Sequence, residues 1–228
     1  PVAGGGPLHL DGILMAHHRG VQGGTAPSRG EPTERAIRIG ELAHPSRWIA
    51  VLERDGHQVP LCSAIQWAAK HVCMETMVSR RDAEDVELLG RPVNRAQGPD
   101  RDKMLPVPLI AAPHAFWYLV GHRREVKKLL RSVTHLGSHR RQGYGVVRSW
   151  DVEALEDPKG RWSWTLDGEA VRHLPSEWCE TAERRDVGCV EPPYWLHSRH
   201  VDRVPAGTIC TVDPEIERAA HSIAQTDV

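Results

Sequence analysis

The 228-residue sequence has no C-x-x-C pair, and its five cysteines (Cys62, Cys73, Cys179, Cys189, Cys210) are odd in number and widely spaced. Neither a disulfide framework nor a zinc ribbon is indicated, so the thiols read as reduced and buried. Long apolar runs are also missing. Nothing approaches the ~18 residues of a membrane span, and the opening "PVAGGGPLHLDGILMAHH" lacks the basic and apolar regions of a signal peptide. The expectation is a soluble cytoplasmic protein with no membrane association. The H-x-E and H-E-x-x-H spacings of metal and metalloprotease sites are absent too, so no metal and no cofactor is expected despite fourteen histidines.

What is present is ordinary globular composition, 40% hydrophobic and 26% charged, with a charge asymmetry hidden under a net of −1. Residues 1–120 carry 13 Lys/Arg against 13 Asp/Glu, residues 121–148 carry 8 against 1, and residues 151–228 carry 8 against 16. Such a concentration of positive charge fits a polyanion-binding stripe; a solvated basic helix face is the plainer alternative.

Along the chain, "LHLDGILMAH" (8–17) reads as a first strand and 18–34 as a Gly/Pro-rich loop. "WIAVLER" and "HQVPL" flank Asp55-Gly56, the signature of a hairpin. Leu61, Ile65, Ala68 and Val72 are spaced for one face of a helix running to about Met77. Residues 79–103 form a long charged excursion with a basic distal half that includes Arg91 and Arg95; excursions of such length are commonly functional or disordered. "HAFWYLVG" (114–121) has strand composition. Val126, Leu129, Leu130, Val133 and Leu136 then trace the apolar stripe of a helix stopped at Gly137, and 145–155 resume a strand. A strand pair is expected around Asp167-Gly168, and the polar end is expected to fray. The organisation predicted is a domain over 1–155 and a β-rich extension over 156–228.

The centre of interest is "LGSHRRQGYG" (136–145). Gly137, Gly143 and Gly145 allow sharp turns and close approach of a ligand to backbone N–H groups. Arg140 and Arg141 offer fork-shaped donors to phosphate, and Tyr144 a face for a base. Ser138, His139 and Gln142 complete the loop. Arg124, Lys127, Lys128 and Arg131 on the preceding helix and Arg148 beyond the loop extend the basic surface. His17 and His18 are further candidates. The missing Lys-Ser/Thr excludes a nucleotide-hydrolysing P-loop, and the helix-then-strand order excludes a dinucleotide fingerprint. A plain glycine-rich connection remains as the alternative to nucleic-acid binding. Of the eight tryptophans, Trp67 and Trp117 fit apolar elements, while Trp150, Trp162, Trp164 and Trp195 stay open between core, interface and stacking.

The layout "HAFWYLVGHRREVKKLLRSVTHLGSHRRQGYGVV", with L-G-x-x-R-x-x-G-Y-G leading into a strand, resembles the C-terminal glycine-rich motif of the RAMP superfamily of CRISPR-associated proteins. "PLHLDGILMAHH" is similar to the opening of the small subunit that binds the guide-RNA 5′ handle in class 1 effector complexes, type IV in particular. The resemblance implies an α+β, ferredoxin-like (RNA-recognition-motif-like) fold with an antiparallel sheet, a thumb-like insertion at 79–103 and the C-terminal extension. It also implies a non-cleaving subunit that holds the guide RNA (crRNA) handle and caps a filament of repeating RAMP backbone subunits, with a large or small effector subunit as a further partner. Two alternatives stand beside it. One is a metal-independent guide-processing endonuclease using His139, His17 or His18; the other is an enzyme acting on a phosphorylated small molecule.

Overall fold

A computed structural model describes residues 2–3, 7–21, 45–68, 70–79, 103–138, 143–155, 164–192, 194 and 197–226. They form α-helices and small antiparallel sheets, an α+β architecture. The chain makes two compact units, one of residues 1–6, 69–113 and 135–146, the other of 7–68, 114–134 and 147–228.

The first unit is built on one sheet. Strand β1 (Val2–Ala3) is its first strand in the chain. The second unit supplies the next elements: α1 (Leu10–Val21), then β2 (Val51–Arg54), β3 (His57–Pro60) and β4 (Gln66–Ala68). The chain then returns to the first unit with β5 (His71–Ser79) and β6 (Lys103–Ala111). Sheet order is β1-β6-β5, and β5 and β6 pair over their full length from His71↔Ala111 to Ser79↔Lys103. The excursion therefore springs from the end of a nine-pair antiparallel ladder; residues 80–102, with Arg91 and Arg95, lie outside the described residues.

The ladder overturns the helix expected from Leu61 to Met77. The 4-3-4 spacing is real, but from Val72 on a period of two competes with it through Val72, Met74, Thr76 and Val78, with β-branched residues enriched. Because paired residues share a sheet face, those four stand with Ile110, Pro108, Pro106 and Met104. On the opposite face Val107 and Leu109 are buried, with Met77 and Tyr144 packed on them.

The second unit holds the main core. Its later elements are β7 (His114–Phe116), α2 (Arg123–Leu130), β8 (Thr165–Leu166), β9 (Glu169–Ala170), β10 (Leu174–Pro175), β11 (Cys179–Ala182), β12 (Asp186–Gly188), β13 (Val201–Val204), β14 (Cys210–Val212) and α3 (Pro214–Thr226). Both Asp-Gly hairpins form as expected. Arg54↔His57 closes over Asp55 (φ 54) and Gly56 (φ 80), and Leu166↔Glu169 over Asp167 (φ 53) and Gly168 (φ 81), so both turns place two left-handed residues in succession. Val59, Leu61, Leu174, Val204, Trp164 and Trp178 form the centre of the core. Cys62, Cys179, Cys189 and Cys210 are buried and outside any disulfide, as expected, whereas Cys73 is exposed.

Three further expectations are corrected. Residues 8–17 are not a strand: α1 starts at Leu10 with Asp11 in its first turn and buries Leu10, Leu14 and Met15. Its Gly12 sits where a Cβ would stand 3.3 Å from the Tyr194 ring, so the helix packs closely on that ring there. The segment 147–155 forms no strand; only Val146 makes a bridge, to His135. The polar end is α3, not a frayed tail. Asp213 accepts the Glu215 N–H at 2.6 Å, Pro214 opens the helix, and Ile216, Ala220 and Ala224 are buried at four-residue intervals.

Candidate functional site

The basic sequence divides between two structural parts. The first is α2, nearly two turns shorter than its apolar stripe suggests: the helix ends at Leu130, and Ser132 and Val133 continue it with bonds to the carbonyls three residues back. Val126, Leu130, Val133 and Leu136 are buried, so the stripe reads correctly. Arg124, Lys127, Lys128 and Arg131 are all exposed, and Arg148 is exposed as well. Arg123 donates from Nε to the Val152 carbonyl at 3.1 Å, which ties the helix start to the segment after the loop. Lys127 and Lys128 also lie in the helix's last turn, where positive charge opposes the exposed carbonyl ends.

The second part is the glycine-rich loop, whose two arms are described. His135 and Val146 form an antiparallel bridge, and the Leu136 N–H donates to Gly145 O at 2.8 Å. Gly137 (φ 77), Gly143 (φ 85) and Gly145 (φ 73) all adopt left-handed backbone. At Gly145 a side chain is doubly barred, since a Cβ would stand 1.9 Å from the Leu136 carbonyl oxygen, whereas Gly143 has nothing within 4 Å. The exposed Ser138 and the exposed Gly143 thus bracket residues 139–142. His139, Arg140, Arg141 and Gln142 themselves lie outside the described residues. Tyr144 anchors one arm: its hydroxyl donates to a Glu75 carboxylate oxygen at 2.8 Å, and its ring packs on Val107 and Leu109. That hydrogen bond to Glu75 raises the phenol pKa above its ordinary value. His17 and His18 fall on α1, with side chains outside the described set.

Sequence reading missed a buried polar network in the second unit. The Arg172 guanidinium is fully enclosed and pairs with Asp11 at 3.5 Å. Its Nη1 donates to the carbonyls of Pro60 and Cys62 and to Cys62 Sγ, and its Nη2 to Val190 O (2.9 Å) and the Tyr194 hydroxyl (2.9 Å). The Tyr194 hydroxyl in turn donates to Asp11 Oδ2 at 2.7 Å. Burial, then nearby Asp11, pushes the Cys62 thiol up to about 12. His9 stacks on Tyr194 with ring centres 4.5 Å apart and lies 4.7 Å from His173. Burial, then the charge of Arg172, holds His9 well below the usual histidine value; burial, then Arg203 and Arg172, lowers His173 to about 3. Both rings are neutral near pH 7, and His173 Nδ1 accepts the Ala206 N–H at 3.1 Å. The network cross-links α1, the chain after β3, the approach to β10 and Tyr194. The only sequence signal for it is an Asp on an apolar segment and an Arg within "GEAVRHL", neither distinguishable from a surface charge.

Among the described residues no cluster of three or more His, Cys, Asp and Glu side chains is placed to hold a metal, and no helix is long and apolar enough to cross a membrane.

A protein-family model matches residues 90–205, and it describes a class of proteins associated with type IV CRISPR systems. The match takes in β6, α2, the glycine-rich loop and the strands as far as β13, just over half of the 228 residues. The chain belongs to that family, CRISPR type IV associated protein Csf3. No curated protein matches the chain at a significant level.

Proposed function

We propose that this chain is the non-cleaving RNA-binding subunit of a type IV CRISPR ribonucleoprotein effector complex, a RAMP-type protein with a ferredoxin-like core, and that it holds the 5′ handle of the guide RNA. The observation that carries this reading is the exposed cation row of α2 in a member of a type IV family: Arg124, Lys127, Lys128 and Arg131 face solvent while Val126 and Leu130 are buried. Exposed cations bind phosphate without reading sequence, and the glycine-rich loop carries two further arginines, Arg140 and Arg141, in its sequence. The bared face of β5 and β6 serves the second half of the role, capping the backbone-subunit filament. Val72 (53% exposed), Met74 (64%), Val78 (53%) and Met104 (70%) lie there with Pro106 and Pro108, without a charge or an aromatic ring, which suits a protein surface and not RNA.

The test is guide-RNA affinity over a salt series for wild type and Arg140→Ala/Arg141→Ala. Two lost phosphate contacts on a single strand lower the log–log slope by about 1.4 and weaken binding. Unchanged affinity and slope would defeat the proposal. Repeat RNA incubated with the pure protein without metal should stay intact; cleavage would instead support the endonuclease reading.

A further inference from the structure

The second unit contains two tryptophan pairs that are treated oppositely by the fold. Trp164 and Trp178, 1% exposed each, meet edge to face at 5.8 Å in the core, and neither indole N–H has a hydrogen-bond partner. Trp117 and Trp150 are only half-buried, 5.7 Å apart and tilted by 36°. Both of their N–H groups are spent on main-chain carbonyls: Trp117 Nε1 on Leu8 at 3.0 Å and Trp150 Nε1 on Val133 at 2.8 Å. Each indole of this second pair is thus fixed in orientation, and what it has left for an outside contact is ring surface.

Two exposed cations stand close along the chain to the fixed pair. Arg131 lies two residues before Val133, and Arg148 two residues before Trp150; both are exposed. Two residues of chain span at most about 7 Å, so both guanidinium stems start within that distance of the residues joined by the indole–carbonyl bond. Asp151 and Glu153 follow Trp150 and are exposed, so the basic stretch of sequence ends there. Rigid ring surface next to phosphate-binding cations is the combination with which proteins hold single-stranded nucleic acid, because every base has a π face.

We infer that the Trp117–Trp150 pair is a base-stacking site for single-stranded RNA, with Arg131 and Arg148 binding the phosphates of the stacked nucleotide. The inference rests on the RNA-binding reading above and adds to it a contact independent of charge. Its signature is a loss of affinity at constant salt slope, whereas arginine removal weakens binding and lowers the slope as well.

The experiment measures binding of a fluorescent guide-length RNA to the full chain as wild type, Trp150→Leu, Trp150→Phe and Trp117→Leu, with thermal melts of each. Trp150→Leu and Trp117→Leu are expected to bind about 5- to 150-fold more weakly, as ~1–3 kcal/mol per stacked base corresponds to, with the slope unchanged. Trp150→Phe keeps a ring and is expected to restore most of the affinity, although it too loses the bond to Val133. RNA carrying 5-iodouridine should photocrosslink to the peptides containing Trp117 or Trp150. Wild-type affinity in both Leu variants, or equal losses in Leu and Phe that track the melting temperature, would overturn the stacking site and leave the RNA-binding reading standing. A wild-type chain that binds no RNA would remove both.

Discussion

Replacing Asp11 with Asn tests whether the buried network holds the second unit together. In the native protein Asp11 Oδ1 accepts the Gly12 N–H at 3.0 Å, and Oδ2 accepts the Tyr194 hydroxyl while pairing with Arg172 at 3.5 Å. Asparagine retains an oxygen acceptor and nearly the same volume but removes the charge. Arg172, with a side chain 0% exposed, is then an uncompensated cation in a low-dielectric setting. Breaking a buried pair in this way costs about 3–5 kcal/mol. For a protein of this size each kcal/mol moves the melting temperature by about 2–4 °C, so the drop expected is about 6–20 °C. Arg172→Met should cost at least as much, since it also strips donors from the carbonyls of Pro60, Cys62 and Val190. The double variant should lose less than the sum of the two, by about 0.5–3 kcal/mol of coupling. Melting followed by circular dichroism on the four proteins completes the cycle. Losses below about 1 kcal/mol for each single change, or strict additivity, would refute the claim that the pair acts as a unit inside the fold.

Acidification provides a second measurement. An unfolded histidine takes up a proton near pH 6.5, whereas folded His173 resists until about 3 and His9 is shifted in the same direction. The unfolded chain therefore binds more protons in that window, and stability falls as pH drops below about 6.5, by up to about 1.4 kcal/mol per pH unit per histidine. A His173→Gln variant should show a shallower decline in melting temperature between pH 6.5 and 4; an identical slope would contradict the assignment. The loop glycines differ in kind: Gly143→Ala carries only the left-handed backbone cost of about 1–2 kcal/mol, while Gly145→Ala must also displace Leu136. Hydrogen exchange at the Leu136 amide should accelerate strongly in the second variant and little in the first.

Local chemistry was legible where it acts over a few residues. Both Asp-Gly turns, the α2 stripe and the glycines of the loop could be read because a turn type or one helix face is encoded within four to ten positions. The errors came from competing periods and distant partners. Leu61 to Val72 fits a helix until Val72 to Val78 imposes alternation, and the ladder with β6 decides between them across 80–102. At the C terminus Asp213-Pro214 is a helix start that polarity obscured. The cations of the candidate site were identifiable as a group. Tyr144's attachment to Glu75 was not, because 69 positions separate them. The Asp11–Arg172 pair was invisible for the same reason over 161 positions.

That separation also has a bearing on how the protein comes into being. Asp11 emerges from the ribosome 161 residues ahead of the guanidinium it needs. At about 5–20 residues per second the carboxylate waits on the order of 10–30 s, with the apolar face of Leu10, Leu14 and Met15 beside it and no completed core to receive it. The chain also crosses between its two units at 6/7, 68/69, 113/114, 134/135 and 146/147, so neither unit is finished by any short N-terminal portion. Fragments ending before Arg172 are expected to accumulate as insoluble material unless the missing piece is supplied from a second polypeptide.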